Sequence, residues 1–273
     1  MVKLSIITVC YNIKDDIEKT CESIVNQSWQ DFEWIVVDGG STDGTLEILK
    51  KYQDRINILI SEKDNGIYNA MNKGIKLASG KYLNFMNGGD SFYHNNILKS
   101  IFDNKEYLSD VLYGHGYRKL NNPANNVSYA PQVLNKDFLF FRTIHHQSAF
   151  IKKDIFEKFG FYNESYKIVS DYEMWLILYN NNASFEYLPY IVSEYTLGGI
   201  STNYLTRKLA SSERQDVILK YFTDDELKKY YKMCIEQIEF SFLDKILSFK
   251  RCAMPNSKVI TIFGYSFIYL KKK

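Results

Sequence analysis

The chain has 273 residues, of which 45% are hydrophobic and 24% charged, and its formal net charge is +2. This length allows one large α/β domain with a short extension. Its basic residues are dispersed apart from Lys271–Lys273, which argues against a nucleic-acid partner. No apolar stretch in the sequence reaches the roughly 18 residues that span a bilayer.

The N-terminus and the cysteines indicate the compartment. Met1–Ser5 lacks the charged and apolar regions of a signal peptide, so we expect a cytoplasmic protein. The four cysteines show no CxxC spacing, which favours reduced thiols over disulfides or a zinc site. They are Cys10, Cys21, Cys234 and Cys252.

Apolar, β-branched runs alternate with amphipathic helical patterns at the start of the chain. The predicted strands are Leu4–Val9, Phe32–Val37, Asn57–Ile60 and Tyr82–Met86. The predicted helices are Asp16–Gln27, with Asp15 as its N-cap, then Leu46–Tyr52 and Ile67–Ala78. This alternation predicts an α/β fold with a mostly parallel central sheet flanked by helices.

The second half of the chain has a looser pattern. Its predicted helices are Asp154–Phe159 and Asp171–Tyr179, and its predicted late strands are Phe185–Tyr187 and Ile191–Thr196. Beyond Gly199 the pattern is helical, with a capping box at Thr223–Glu226. We therefore predict a domain of residues 1–203 and an α-helical C-terminal extension of residues 204–273.

Three short motifs follow predicted strands directly. They are Ser5–Asn12, Val37–Gly44 (VDGGSTDG) and Asn87–Asp90 (NGGD). Each places polar groups at the carboxyl end of a strand, the edge at which open α/β sheets bind ligands. A fourth stretch, Glu62–Gly74, completes the pattern. Over roughly residues 3 to 200 the chain resembles family 2 glycosyltransferases of the GT-A fold, a Rossmann-related class of inverting enzymes that use nucleotide-sugars.

The resemblance implies a nucleotide-sugar site in the loops of these motifs. Tyr11 would lie against the base, and Asp38 sits at the ligand edge; the alternatives are a polar turn at Tyr11 and an Asx-type cap at Asp38. Family members often carry a second aspartate where this chain has Gly39. The residues expected to contact the nucleotide-sugar are Thr8, Tyr11, Asn12, Asp38, Asp64, Gly66, Asn69, Gly89, His146 and Arg207.

A metal site is implied where the family keeps its DXD motif. Asp90 is the one carboxylate left there, and the resemblance makes it the ligand of Mn²⁺ or Mg²⁺. Such a cation neutralises the leaving diphosphate. His146 is the candidate second ligand, and the alternative is a pair of structural histidines, His145 and His146.

The catalytic base is assigned in the same way. Val169–Leu176 resembles the acceptor-site motif of the family, and Asp171 matches its base, although Ser170 or Asp171 would also cap the helix that starts there. The glycine loop Leu197–Ser201 is either a segment that closes over donor phosphates or an ordinary turn.

The resemblance therefore implies a metal-dependent inverting hexosyl or N-acetylhexosaminyl transferase of bacterial surface polysaccharide assembly, such as capsule or O-antigen. The donor would be a UDP-sugar, and the acceptor a hydroxyl of a polyprenyl-diphosphate-linked saccharide. The alternatives are transfer to a polyprenyl phosphate and a non-catalytic sugar-nucleotide-binding protein.

The C-terminal stretch from Phe240 to Lys273 mixes aromatic, aliphatic and basic residues. One interpretation is a peripheral contact with the inner face of the cell membrane. The alternatives are a helical pair packed on the domain and a homodimer contact.

Overall fold

The computed structural model describes residues 2–118, 126–195, 206–244, 257–262 and 265–270, with side chains described up to residue 234. The chain divides into two units, Met1–Asn203 and Tyr204–Lys273. The first unit carries the motifs of the predicted site.

A nine-stranded sheet forms the first unit, and its path runs β3-β2-β1-β4-β8-β6-β9-β5 with β7 beside β6. The strands are β1 (Leu4–Cys10), β2 (Phe32–Asp38), β3 (Ile58–Ser61), β4 (Tyr82–Phe85), β5 (Ser91–Phe92), β6 (Val111–Arg118), β7 (Val127–Ser128), β8 (Ala149–Lys152) and β9 (Phe185–Tyr195).

Helices connect these strands. They are α1 (Ile17–Val25), α2 (Thr45–Lys50), α3 (Ile67–Leu77), α4 (Ile97–Phe102), α5 (Lys136–Phe141), α6 (Lys153–Phe159) and α7 (Ser170–Asn180). A short 3₁₀ turn, His146–Ser148, leads into β8.

Strand β1 is the centre of the parallel half of the sheet, and all seven of its residues are buried. It pairs in parallel with β2 and β4, and β2 pairs in parallel with β3. Helix α3 packs closely on β1 because Gly74 has no side chain: a Cβ there would lie 2.5 Å from Cγ2 of Ile7. The predicted mostly parallel sheet flanked by helices is confirmed.

The main apolar core contains one face of this sheet together with residues of α1 and α4. Alternate strand residues and residues three or four apart on the helices supply it, as the two side-chain periods require. Its members include Leu4, Ile6, Ile17, Cys21, Ile24, Trp34, Val36, Leu98 and Phe102. Each buried aliphatic side chain contributes about 1.5–3 kcal/mol. This core holds the carboxyl ends of β1, β2 and β4 in place.

Antiparallel pairing of β8 with β4 brings the 3₁₀ turn to the same edge of the sheet. Tyr82 pairs with Lys152 and Leu83 with Ile151, so the chain before β8 lies beside the chain after β4. Asn84 reinforces this contact, because its Nδ2 donates to the carbonyl oxygens of Gln147 at 3.1 Å and Ala149 at 2.9 Å.

Two expectations about element boundaries are corrected. The late strands are one continuous strand, β9, because β6 is irregular opposite Leu188–Tyr190 and accommodates Pro189, which has no N–H to donate. Asp16, not Asp15, occupies the N-cap of α1, and no side chain caps that helix. The backbone carbonyl of Ile13 accepts from the first N–H groups instead.

The second unit begins with α8 (Arg207–Tyr221) and α9 (Asp224–Asp244), as predicted, and the capping box is confirmed by a 2.8 Å bond from Thr223 N to Glu226 Oε2. Residues 257–262 and 265–270 are strands, not helix: β10 (Ser257–Ile262) and β11 (Tyr265–Leu270) pair antiparallel. Their many β-branched and aromatic residues favour strands over helix. Among the residues described here, no helix is both long and apolar enough to cross a membrane.

Candidate active site

The carboxyl ends of β1, β2 and β3 lie side by side. Cys10 is paired with Asp38, and Asp38 with Ser61, at the last position of each strand. The loops that follow these strands and β4 therefore meet at one edge of the sheet, as the motif positions predicted.

The buried carboxylate of Asp38 holds Ser41 and Ser61 together at this edge through hydrogen bonds. Its side chain is fully buried. Its Oδ2 accepts from the backbone N–H of Ser41 at 3.0 Å and from Ser61 Oγ at 2.6 Å, and its Oδ1 accepts from Ser41 Oγ. The Asx-type cap that the sequence allowed is therefore present, and direct contact of Asp38 with a nucleotide stays a prediction.

Thr8 is also turned inward. It is fully buried in β1, and its hydroxyl oxygen accepts from Trp34 Nε1 at 3.0 Å. The structure gives no support to a ligand contact through this side chain.

The first loop presents one open aromatic ring. Tyr11 is 63% exposed. Asn12, with φ of +47°, ties the loop to its neighbour: its N–H donates to Ser41 Oγ and its Oδ1 accepts from Thr42 N–H, both at 2.8 Å. Asn12 is therefore a support of the loop, and its predicted ligand contact stays a prediction.

Gly39 separates the ring of Tyr11 from the carboxylate of Asp64. A Cβ at Gly39 would lie 2.5 Å from Asp64 Oδ2 and 3.3 Å from Cδ2 of Tyr11. Asp64 Oδ1 accepts from Gly66 N–H at 2.9 Å. The missing side chain at position 39 thus lets the Asp64 carboxylate and the Tyr11 ring come close to the same backbone position, and we call the surface bounded by these three residues the recess.

The start of α3 is tied to the loop before α7. Asn69 Oδ1 accepts from Asn65 N–H at 3.3 Å, and Asn69 Nδ2 donates to Glu164 Oε2 at 2.9 Å. Gly66 has φ of +119°, which favours glycine at this N-cap. Asn69 therefore has a structural role, and its role in ligand binding stays a prediction.

Asp90 ends a tight turn after β4. Its N–H donates to Asn87 O at 3.0 Å, its carbonyl accepts from Thr20 Oγ1 at 2.7 Å, and Gly89 N–H donates to the same hydroxyl at 2.9 Å. Burial raises the pKa of the Asp90 carboxyl to about 6, against the opposing charges of His146 and Lys19. The carboxylate is therefore short of positive charge.

His146 and Asp171 form a close pair. His146 Nδ1 lies 3.1 Å from Asp171 Oδ2, and His146 Nε2 lies 3.0 Å from Asn87 Nδ2. Asp171 Oδ1 accepts from Tyr172 N–H at 2.9 Å and lies 3.1 Å from the hydroxyl of Tyr68. Asp171 thus lies in the first turn of α7, with three groups directed at its carboxylate.

The two partners shift each other's protonation. Burial alone would raise the pKa of Asp171, but the hydrogen bond and charge of His146 outweigh it and hold that pKa below its usual range. Burial would lower the pKa of His146, but Asp171, with a contribution from Asp90, raises it above its usual value. His145 is different, because burial lowers its pKa to about 4 and Ser128 Oγ lies 2.8 Å from its Nε2.

The fit of this cluster to a divalent cation can be judged from its donor atoms. In the part of the chain that the structure describes, no three His, Cys, Asp or Glu side chains are grouped as a metal site. Asp90 nevertheless carries an under-neutralised carboxylate, and the buried amide oxygens of Asn87 and Gln147 have no hydrogen-bond partner among the residues that the structure describes. Hard cations prefer such oxygen ligands, so the residues fit Mn²⁺ or Mg²⁺ completed by ligand oxygens and water.

The predicted residues thus fall into two neighbouring groups. One contains Tyr11, Asp38 and Asp64; the other contains Asp90, His146 and Asp171. A Cβ at Gly88 would lie 3.1 Å from that of Cys10, so the turn that ends in Asp90 packs on the end of β1.

Arg207 is the first residue of α8 in the second unit, and its role stays a prediction. The loop Leu197–Ser201 lies outside the described residues.

Three site residues had no predicted role: Tyr68, Asn87 and Gln147. Asn87 belongs to the NGGD motif and Gln147 directly follows the pair His145 and His146, so their polarity beside candidate ligands was the available signal. Tyr68 gave no signal, because its approach to Asp171 depends on the packing of α3 against the loop before α7.

A helix-flanked sheet with an exposed aromatic ring, a carboxylate and an acid–imidazole pair at its carboxyl edge defines an α/β domain with groups suited to proton transfer. Residues 5–160 match the family model described as glycosyl transferase family 2. The chain belongs to this family, and it is therefore a glycosyltransferase with the GT-A-like fold that the sequence predicted.

Individual relatives agree with this assignment. The chain is 30% identical over 211 residues to a PGL/p-HBAD biosynthesis glycosyltransferase of Mycobacterium bovis (strain BCG / Pasteur 1173P2), covering 75% of this chain and 81% of the relative.

Two solved structures share the fold. Residues 1–349 of S. aureus TarS in complex with UDP-GlcNAc superpose with a TM-score of 0.63 at 20% identity, over 88% of this chain and 73% of that chain. The mannosyltransferase PcManGT from Pyrobaculum calidifontis, in complex with GDP-Man and Mn²⁺, has a TM-score of 0.60 at 16% identity, over 80% of this chain and 63% of that chain.

Proposed function

We propose that this glycosyltransferase moves a hexosyl or N-acetylhexosaminyl group from a UDP-sugar to a hydroxyl of a saccharide, with inversion at the anomeric carbon. The acceptor would be a polyprenyl-diphosphate-linked saccharide in bacterial surface polysaccharide assembly. The observation that carries the proposal is the contact of His146 with Asp171 next to the turn that bears Asp90. The UDP-GlcNAc held by the TarS fragment supports the donor class.

Asp171 is the proposed base. Its lowered pKa keeps it ionised at neutral pH, and the groups around it fix its orientation. The proton of the acceptor hydroxyl passes to the Asp171 carboxylate as the hydroxyl oxygen bonds to the anomeric carbon and the bond from that carbon to the UDP oxygen breaks. The hydroxyl becomes acidic as it attacks, so a weakly basic carboxylate suffices.

His146 is the proposed partner of the base. With Nδ1–H donating to Asp171, the imidazole holds one carboxylate oxygen, and the other oxygen faces Tyr172 N–H and Tyr68. The remaining lone pairs of the carboxylate are then directed at the acceptor.

Asp90 is the proposed protein carboxylate for a divalent cation, Mn²⁺ or Mg²⁺. When bound, such a cation supplies Lewis-acid neutralisation of the departing diphosphate. The raised pKa of Asp90 supports this assignment, because a cation would supply the positive charge that its surroundings lack.

The recess at Gly39 is the proposed base pocket. The exposed ring of Tyr11 offers a stacking surface, and the Oδ2 atom of Asp64 faces the same space. Stacking of a base on an aromatic side chain is worth about 1–3 kcal/mol. Asp38 and Asn12 would hold the two loops that form the recess.

The assignment of different roles to the two units is also a proposal. Residues 1–203 would carry the transferase chemistry, and residues 204–273 would supply a peripheral membrane contact or a dimer contact. Co-sedimentation with anionic vesicles would compare the full chain with one ending near residue 240; equal recovery would reject the membrane contact.

A thermal-shift screen of nucleotides and nucleotide-sugars, with and without Mn²⁺, tests the donor proposal. We expect UDP and one UDP-sugar to raise the Tm, with a larger shift when Mn²⁺ is present. Tyr11→Ala should weaken UDP binding roughly 5- to 100-fold, the range that the loss of one base–aromatic stack gives. Tyr129→Ala is the matched control, since Tyr129 is 65% exposed. Stabilisation by guanosine or adenosine nucleotides instead would reject a UDP-sugar donor.

A non-catalytic sugar-nucleotide-binding protein would show the same thermal shifts without turnover. Incubation with the stabilising UDP-sugar and Mn²⁺, followed by ³¹P NMR, separates the two functions. Release of UDP supports the transferase, and an intact donor after long incubation supports the binding protein.

A further inference from the structure

Gln147 lies next to Asp90, the proposed cation ligand, and its buried side-chain amide is incompletely hydrogen-bonded. Its side chain is only 6% exposed, and its Nε2 donates to Asp90 Oδ2 across a long 3.4 Å. Its Oε1 is buried and has no partner among the described residues. A buried amide oxygen without a hydrogen bond is destabilising, so this atom is suited to a partner that the described residues do not supply.

The backbone holds Gln147 in this position independently of its side chain. Gln147 lies in the middle of the 3₁₀ turn, and its carbonyl oxygen accepts from Asn84 Nδ2 at 3.1 Å. Ser148 N–H donates to His145 O at 2.9 Å and closes the turn. The side chain can therefore turn about its terminal torsion while the residue stays beside Asp90.

Among the described residues, few groups other than the Gln147 amide compensate the negative charge of the Asp90 carboxylate. Gln147 supplies the one side-chain hydrogen bond to its carboxylate in the described part of the chain. Lys19, the nearby lysine, pairs with Glu194 at 2.8 Å. A cation bound to Asp90 Oδ2 would meet the Gln147 amide at once, and the positive edge of Nε2 would be repelled from it.

Rotation of the Gln147 amide by half a turn would turn Nε2 away from the cation and would give the unpartnered Oε1 a partner. It exchanges Nε2 and Oε1, two atoms of nearly equal size. The oxygen then faces the cation, which is the ligand type that Mn²⁺ and Mg²⁺ prefer. Asn87, in the turn that ends in Asp90, also has a buried amide oxygen without a partner among the described residues.

His146 is placed differently, although it precedes Gln147 directly. Its Nδ1 contacts Asp171 at 3.1 Å and its Nε2 contacts Asn87 at 3.0 Å, so both ring nitrogens are engaged. Ligation by His146 would break one of these contacts. Ligation by Gln147 breaks only the 3.4 Å contact with Asp90.

We propose that the amide oxygen of Gln147, together with the carboxylate of Asp90, binds the divalent cation, and that His146 is not a ligand. This inference rests on the proposed metal dependence of the transferase. The neutral amide oxygen of Gln147 thus takes the second ligand position beside Asp90, which is the one carboxylate of the NGGD motif.

Direct titration of the protein with Mn²⁺ in the presence of UDP, followed by electron paramagnetic resonance, tests this inference without a need for turnover. Gln147→Met keeps the length of the side chain and removes the amide, and it should weaken Mn²⁺ binding on the order of 10-fold or more. Gln147→Glu restores an oxygen with a charge and should bind Mn²⁺ at least as tightly as the wild type. Asp90→Asn should lose binding, and His146→Gln should not weaken Mn²⁺ binding.

Electron spin-echo modulation of the same samples identifies the bound atoms. We expect no directly coordinated ¹⁴N in the wild-type complex. An imidazole ¹⁴N signal that disappears in His146→Gln, or a Gln147→Met affinity equal to that of the wild type, would overturn the inference while leaving the metal-dependent transferase intact. A wild-type protein that binds no Mn²⁺ even with UDP would overturn both. Melting curves check that each variant is folded. If Gln147→Met does not fold, the Mn²⁺ affinity of Gln147→Glu tests the inference instead.

Discussion

The Nδ1 atom of His146 lies 3.1 Å from Oδ2 of Asp171, and both side chains are mostly buried, with 19% and 15% of their surfaces exposed. This pair joins the start of α7 to the turn before β8. The opposite ring nitrogen of His146 reaches Asn87, in the turn that ends in Asp90. The proposed base and the turn of the proposed cation ligand therefore lie at two ends of one chain of contacts.

Asp171→Asn is the first test of this assignment. The amide keeps the shape of the side chain but cannot accept the proton of the acceptor, so we expect kcat to fall roughly 10²- to 10⁴-fold, with little change in UDP affinity. Asp154→Asn is the matched control, because Asp154 is also the second residue of its helix and is exposed. Turnover near the wild-type level in a folded Asp171→Asn protein would remove Asp171 from the mechanism.

His146→Gln should change the pH dependence of turnover. In the proposed mechanism activity requires ionised Asp171, and His146 holds the pKa of that carboxyl below the usual range. The acid limb of the wild-type kcat profile should therefore lie below that range. Loss of the imidazole raises the pKa of Asp171, so the acid limb should move to higher pH. An acid limb at the same pH in both proteins would show that His146 does not tune the base.

Asp90→Asn should stabilise the metal-free protein at neutral pH. The folded-state pKa of Asp90, about 6, lies above its unfolded value, so the folded state binds the proton more tightly. The wild type therefore loses stability as pH rises from the ordinary carboxyl pKa through 6, and asparagine does not. We expect a Tm for the variant that is higher by roughly 2–4 °C at pH 7.5, and a smaller difference at pH 4.5.

The same melting curves contain their own controls. Addition of Mn²⁺ with UDP should reverse the order of the two proteins, because only the wild type keeps the carboxylate ligand. A variant that melts lower than the wild type at both pH values without metal would contradict the burial of an under-neutralised carboxylate.

Gly39→Ala should weaken UDP binding. The added methyl group would lie 2.5 Å from Asp64 Oδ2 and 3.3 Å from the ring of Tyr11, so the recess must deform. We expect the Kd for UDP, measured by calorimetry, to rise roughly 5-fold or more, with a small change in Tm. In the background of Asp64→Ala the same substitution should cost less, and a double-mutant cycle measures this coupling. Additive effects would show that the two residues do not share a pocket.

Much of the parallel half of the fold is readable from the sequence. The runs Leu4–Val9 and Phe32–Val37 and the helical pattern from Ile67 have unambiguous periods, and each lies where it was predicted. Since parallel strands end at one edge, the motifs that follow them also had to meet there.

The rest depends on long-range contacts that no local pattern encodes. Asn87 and His146 are 59 residues apart, and they meet because β8 runs antiparallel to β4. The inward orientation of Asp38 depends on the hydroxyls of Ser41 and Ser61 across two loops. The continuity of β9 depends on the irregular pairing of its partner strand, β6.

The stereochemistry of transfer tests the central claim most directly. Proton NMR of the first product formed from the UDP-sugar identified by thermal shift, with Mn²⁺ present, reports the anomeric configuration of the transferred sugar. A single carboxylate base at Asp171 predicts a product whose configuration is opposite to that of the donor, and no product from Asp171→Asn on the same timescale. A product that retains the configuration of the donor, or equal amounts of product from both proteins, would contradict this account.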